Sequence, residues 1–376
     1  MRNWKLLPAF LIGSSVLAVI IYVLFSFVFL DFFVDLWWFR SLNFEGYFWL
    51  RLLYRFIFSG GVTLIFFCIF FFHFWIASRY LGLSPPDEIL VSADKRQRFQ
   101  SFADIFMYGS VRIYTPLSLI LAVVIAIPFY NQWESALLYF FGSTAGVTEP
   151  VYGLDVSFYL FSYPVYMLIQ QELLNTSIIL FFLVTALYWL EHVFVPNQNK
   201  EYPLGAKIHL TILIGFIVLF VTWGFALDRF SLLYVNSHEP VFFGPGFVEL
   251  RYQLPLIWLS IVSIVAVFVA VVIYIFSPQH RSTIPIFIGI GGFLLALGLQ
   301  NIPLIPSLIN SLIVKPNPVL TEGQFMESNI KATLDAYDLK NINIVDYQVK
   351  LDATKDIELW GTQKHFENIP VWDREY

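Results

Sequence analysis

The chain has 376 residues, 58% hydrophobic and only 13% charged, with 41 Phe, 20 Tyr and 11 Trp. Soluble domains carry about a quarter charged residues, so the composition argues against an ordinary cytosolic enzyme and for a multi-pass membrane protein whose first partner is the lipid bilayer. The formal net charge is −5 and no basic patch stands out, so nucleic acid is not an expected partner.

In chain order, Arg2 and Lys5 precede a charge-free run over 6–30. It is too long for the apolar region of a cleaved signal peptide, so it reads as a first, uncleaved span. Further runs of the length needed to cross a hydrocarbon core fall at 56–78, 113–130, 173–190, 208–227, 254–276 and 284–304. The expected fold is an all-α membrane bundle of seven helices over 1–306, followed by a short α/β-like segment over 307–376. That last segment holds 7 Lys+Arg against 11 Asp+Glu, so most of the net negative charge lies there. Cys68, the one cysteine, sits within a span and reads as a small apolar packing residue.

Orientation follows from Lys and Arg, which favour the cytoplasmic side of short loops. With the N-terminus inside, the inner set is Arg2, Lys5, Arg79, Lys95, Arg96, Arg98, Arg112, Lys200, Lys207 and Arg281. The outer loops hold Arg40, Arg51, Arg55, Arg229 and Arg251. This places the N-terminus in the cytoplasm and the acidic C-terminal segment outside the cytoplasmic membrane. In the first outer loop Trp37, Trp38, Phe39, Tyr47, Phe48 and Trp49 lie among charges, the composition of an aromatic belt at headgroup depth. On the inner side Phe99, Phe102 and Phe106 share one helical face, as in a helix lying on the membrane.

The chemistry is sparse. The spans as drawn contain no Asp, Glu, Lys or Arg, and His73 and His209 lie near their cytoplasmic ends, where a structural or interfacial role is expected. Glu191 and His192, at the end of the fourth span, are a candidate proton-relay pair, with a solvated helix end as the alternative. His238 and Glu239 are neighbours in an outer loop and a candidate contact, although two neighbours do not make a metal site. Asp155, in the outer segment Gly142–Tyr166, is placed to cap a helix through Val156–Phe158, with a ligand or cation contact as the alternative. HExxH, GxSxG and the phosphate-cradling GxxxxGK[ST] pattern are all missing from the sequence. No catalytic residue, metal site or cofactor is expected, and the chain is read as a non-enzyme. A transporter or channel is the rival, with a polar path past Ser14, Thr185, Thr222 or Ser263. In the last span Gly292 and Ala296 permit a close helix crossing.

Four segments carry a more specific signal: VDLWWFRSLNFEGYFWLRLLYR (Val34–Arg55), GVTEPVYGLDVSFYLFSYPVY (Gly146–Tyr166), FGPGFVELRYQLP (Phe243–Pro255) and VKPNPVLTEGQFMESNIKATLDAYDL (Val314–Leu339). In these the chain resembles the uncharacterised protein family 0182 of bacterial multi-pass membrane proteins. The resemblance implies about seven membrane helices followed by a large domain outside the cytoplasmic membrane, and no assigned reaction. Local departures are Pro316-Asn317-Pro318 where the family tends to PNE, and Thr148-Glu149-Pro150 where it tends to Thr-Asp-Pro. Family members usually continue well beyond Tyr376, so the chain reads as a C-terminally short or truncated member. Its tail, with a helix expected over Asn329–Leu339 and strand-like alternation through Ile342, Ile344 and Tyr347–Leu351, reads as the start of a larger domain. The expected function is to anchor or present an extracytoplasmic segment, in envelope organisation or as a subunit of a membrane complex.

Overall fold

The computed structural model describes residues 22, 29–80, 113–194, 203–236, 238, 242–277, 279 and 282–339, with the side chains of 191–194 excepted. Its contacts divide the chain into two compact units, residues 1–325 and 326–376. Among the described residues the structure is helical, with no strand beyond an isolated antiparallel bridge between Thr148 and Asp155.

The helices are α1 (Glu45–Tyr80), α2 (Thr115–Asn131), α3 (Trp133–Phe141), α4 (Tyr163–Phe194), α5 (Leu204–Ser231), α6 (Leu254–Phe276), α7 (Ile284–Asn301), α8 (Leu304–Ile309) and α9 (Pro318–Ala336). Five helical segments are long and apolar enough to cross a membrane, and the pair α2 and α3, bent by 65°, makes a sixth if it forms one span. Six of the seven expected spans therefore fall on observed helices. The first, 6–30, lies outside the described residues except for 22, 29 and 30.

The outer surface of the bundle is compatible with a lipid environment. Ile65, Phe72, Ile120, Phe182, Val262, Phe287 and Leu294 are all large, apolar and exposed. Helices that are apolar all round belong in a membrane or in a large core, and inside such a bundle packing selects the buried face. On α1 that face is Phe66, Phe70, Phe74 and Ala77, which pack with Tyr114, Phe129, Leu180, Val184 and Leu213 from the region before α2 and from α2, α4 and α5.

Proline shapes the helix starts. Three wide turns, Phe158–Ser162, Glu249–Gln253 and Asn310–Val314, are closed by i→i+5 bonds from the N–H groups of Tyr163, Leu254 and Lys315. Each ends two residues before a proline: Pro164, Pro255 and Pro316. Proline lacks an N–H and its ring collides with the carbonyl four residues back, and a widened turn moves that carbonyl aside. The aromatic stretch before Pro164, expected as an interfacial prelude to the fourth span, is thereby continuous with α4. The belt over 31–55, expected as a loop, is also helical: residues 29–41 form one helix, Asn43 turns the chain at φ 60°, and α1 begins at Glu45. Its rings pack on one another, Phe32 meeting Phe48 edge-on at 5.4 Å. The tail helix starts at Pro318 rather than 329 because proline suits a first helical turn and the Asn317 carbonyl accepts the Thr321 N–H at 3.2 Å. The strand-like residues 342–351 and the inner phenylalanines 99–106 lie outside the described residues.

Helices α6 and α7 make the close crossing that Gly292 and Ala296 permit, and it extends to Gly289. A Cβ on Gly289 would lie 2.7 Å from Val267 Cγ2, and one on Gly292 would lie 3.4 Å from Ser263 Oγ. Gln300 Nε2 donates to Ser260 Oγ at 2.9 Å, and the Tyr252 hydroxyl donates to the Leu299 carbonyl at 2.9 Å, tying the same pair. Gly289→Leu is expected to cost about 1–3 kcal/mol by overpacking. Gly291→Ala, where a Cβ would meet nothing within 4 Å, should be neutral or stabilise by up to about 1 kcal/mol. Thermal unfolding of the two variants in detergent measures this, and equal melting temperatures would contradict the packing described.

Candidate functional site

Two polar regions are assembled from distant parts of the first unit. One is a layer of loops where the N-terminal ends of α1, α4 and α6 meet the C-terminal ends of α2, α5 and α7. The other is a histidine pair toward the opposite ends of α1 and α5.

In the loop layer, carboxylates hold backbone. Asp155 Oδ1 accepts the N–H groups of Ala145 at 3.1 Å and Ser157 at 2.8 Å, and its Oδ2 accepts that of Gly146 at 2.9 Å. The Ser157 hydroxyl and backbone N–H, with the backbone N–H groups of Ala145 and Gly146, hold the Asp155 carboxyl below its ordinary value. Glu149 accepts the N–H groups of Val151 and Tyr152 and the Tyr159 hydroxyl. The Tyr152 hydroxyl donates to the Arg229 carbonyl at 2.6 Å, fastening this loop to the end of α5.

The neighbouring loop closes on Gly246. Glu249 Oε2 accepts the Gly246 N–H at 2.9 Å and lies 3.0 Å from His238 Nε2, while Glu322 Oε1 accepts the Phe247 N–H at 3.2 Å. Glu249 and Glu322 are buried, at 5% and 2% exposure, and Glu322 Oε2 has no hydrogen-bond partner. The His238 ring stacks on Phe242 at 4.5 Å. A Cβ on residue 246 would come within 2.6 Å of Glu322 Oε2 and 2.7 Å of His238 Nε2, so the cluster closes only around glycine. The hydrogen bond to Glu249 raises the His238 pKa above 6.5; burial opposes this, and the charges of Glu249 and Glu322 add to it.

Inside the bundle, the expectation of spans without charge meets an exception. Helix α4 starts at Tyr163 rather than near 173 and so includes Glu172, which is 6% exposed. Asn175 Nδ2 donates to Glu172 Oε2 at 3.3 Å, and the nearby Gln170 Nε2 donates to the Phe220 carbonyl at 2.7 Å. The two histidines expected near the cytoplasmic ends of their spans meet: His73 Nδ1 lies 3.0 Å from His209 Nε2, and His209 Nδ1 lies 2.9 Å from the Tyr188 hydroxyl. His73 and His209 are both buried.

Of the residues singled out in the sequence, Asp155 holds the turn that leads into α4. His238 pairs with Glu249, and its neighbour Glu239 lies outside the described residues. Glu191 and His192 are helical at the end of α4, with side chains outside the described set. Ser14 is also outside it; Thr185 Oγ1 and Thr222 Oγ1 are buried without a partner, and Ser263 packs toward Gly292. Sequence reading missed Glu172, Glu249 and Glu322. Among the described residues no group of three His, Cys, Asp or Glu side chains could hold a metal ion.

A bundle of long apolar helices with large apolar side chains on its outside, joined at one end by ordered loops, is compatible with a multi-pass membrane protein. The chain belongs to the uncharacterised protein family UPF0182, whose sequence model matches residues 12–376. It is 46% identical over 338 residues to a UPF0182 protein of Methylococcus capsulatus, covering 90% of this chain and 37% of that one. Relatives in Syntrophobacter fumaroxidans and Nitrosococcus oceani are 41% and 40% identical over the whole chain and 43% and 42% of their own lengths. The chain thus spans about two fifths of the length of the curated relatives it matches. No solved structure matches it.

Two outcomes follow for the loop layer. Because the folded His238 pKa is raised, its stabilising contribution is complete below the unfolded value near 6.5 and is lost as pH rises through the folded value. Melting temperature should therefore fall across that interval in the wild type and less so in His238→Gln; parallel pH profiles would contradict the pairing. Gly246→Ala should destabilise by about 1–3 kcal/mol, because both the imidazole and the carboxylate must move, and an unchanged melting temperature would refute the close approach.

Proposed function

We propose that the chain is an integral protein of the bacterial cytoplasmic membrane, with its N-terminus in the cytoplasm and its C-terminal segment outside. It anchors and presents that segment, in envelope organisation or as a subunit of a membrane complex. The proposal includes no enzymatic activity.

The observation that carries it is the loop layer. Asp155, Glu149 and Glu249 direct their oxygens at backbone N–H groups and so build a rigid platform rather than a polar channel mouth. Large apolar side chains remain exposed around it, with Phe141 at 82%, Val319 at 77% and Leu320 at 86%. The greater length of the relatives supports the same reading, since a fixed platform suits a further domain. Photo-crosslinkers placed at Phe141 and Leu320 in native membranes are expected to capture one reproducible envelope protein or domain. A purified chain that captures nothing and sustains solute flux would refute the anchoring role. For orientation, a cysteine at Val147 should react with an impermeant maleimide from the outer side, and protection there would reverse the topology.

Glu172 favours a second reading, a transporter or channel. An ionisable side chain within a membrane helix is costly and usually functional, and this one lies inside the apolar segment Phe158–Leu190. If the protein moves a cation or proton, Glu172→Gln should abolish flux in proteoliposomes while leaving the fold intact; flux unchanged by that substitution would remove Glu172 from the path.

A further inference from the structure

We propose that the groove between α1 and α5 binds a neutral, membrane-soluble ring compound bearing a carbonyl or hydroxyl, of the quinone and quinol class. This inference is independent of the anchoring role. The cavity measures about 760 Å³, within the range of small-molecule pockets. Its walls include Phe67, Phe71, Phe72, Ile208, Ile212 and Phe216. The Phe67 and Phe71 rings lie 5.7 Å apart and 22° from parallel, and Phe216 meets His73 edge-on at 6.4 Å. Flat aromatic walls complement a ring through offset and edge contacts.

The polar edge of the groove decides the class of ligand. His209 has both nitrogens engaged, Nδ1 with Tyr188 and Nε2 with His73 Nδ1. His73 Nε2 is therefore the one nitrogen of the pair without a partner among the described residues, on a side chain that is 9% exposed and lines the cavity. A neutral imidazole has one donor and one acceptor nitrogen, so the chain of bonds has two consistent settings. If Tyr188 donates to His209, then His209 donates to His73 and His73 presents an N–H. If His209 donates to Tyr188, then His73 donates to His209 and presents a lone pair. The first setting suits a carbonyl oxygen and the second a hydroxyl, the two groups that distinguish a quinone from its quinol.

Other occupants fit less well. An acyl chain has no use for the buried imidazole edge. A charged headgroup lacks a countercharge, because the lining contains no Asp, Glu, Lys or Arg. A metal bridged by the pair would require His209 to break a bond it already makes.

The chain carries its own reporter. Cys68 is its one thiol, lines the groove and is exposed, in contrast to the packing role expected from sequence. The full chain in phospholipid nanodiscs is alkylated with a lipid-permeable maleimide while decylubiquinone is titrated. Saturable protection of Cys68 is expected, with decylbenzene, which has the same tail and no oxygen, failing to protect. His73→Phe should shift the protection midpoint by about tenfold, the upper end of what one neutral hydrogen bond contributes. Ile212→Trp, which fills the groove and leaves both histidines unsubstituted, should abolish protection and decides the matter if His73→Phe does not fold. Absence of protection, or equal protection by decylbenzene, would overturn the proposal, the latter assigning the groove to hydrocarbon.

Discussion

An apolar surrounding leaves backbone N–H and carbonyl groups without water, so each must find its partner within the protein. Long helices meet that demand along α1, α4, α5 and α6, and the same demand explains the less regular parts. Where Pro164 and Pro255 interrupt the ladder, a widened turn closes the preceding residues, and another ends the helix before Pro316. Where the chain leaves helix altogether, Asp155 and Glu149 accept the amides of 145, 146, 151, 152 and 157. Glu249 and Glu322 do so at Gly246 and Phe247. The acidic residues of these loops are thus first of all structural, and their oxygens are largely occupied before any ligand arrives.

Aromatic side chains solve the matching problem for arginine. Arg55 lies 3.7 Å over the Tyr130 ring and donates through Nε to the Tyr130 carbonyl, Arg79 lies 4.6 Å over Trp75, and Arg229 lies 4.5 Å over Phe230. A guanidinium is weakly hydrated and stacks well, so it can end an apolar helix without leaving the aromatic belt. Arg40 and Arg51 sit 3.9 Å from Glu45 and Glu134. Four of the five arginines that charge counting assigns to the poorer side, Arg40, Arg51, Arg55 and Arg229, are thus held by rings or acids.

Much of the bundle was legible because charge-free runs register composition, and composition is what a hydrocarbon core selects. The ends were less legible for the same reason. Charges at Arg55, Glu172 and Asp228 mark where a run stops, but a helix continues past a charge as long as its backbone bonds do; α1 starts at Glu45 and α4 takes in Glu172. Asp155 was readable only in its bond to the Ser157 N–H two residues on; the Ala145 and Gly146 amides that it also accepts lie ten and nine residues before it. The Glu249 partner of His238 was not readable from adjacency: the Gly244-Pro245-Gly246 turn brings Glu249 back onto the ring from eleven residues further on. Glu322 carried no local signal at all, since its partner Phe247 is 75 residues away.

The histidine pair shows the limit most clearly. His73 and His209 are 136 residues apart, and each alone looks like an ordinary helix-end residue. What joins them is the fit between the end of α1 and the start of α5, where the Tyr80 ring lies against Gly205 so closely that any Cβ there would collide with it. That glycine sets how near the two helices come, and hence whether the imidazoles reach bonding distance or face lipid separately. Moving the helices apart by the width of a methyl group would break the 3.0 Å contact, free His209 Nε2 and leave a buried nitrogen unpaired. The polar edge of the groove is therefore a property of helix packing, specified by a residue with no side chain, and no pattern of polar residues along the sequence could have revealed it.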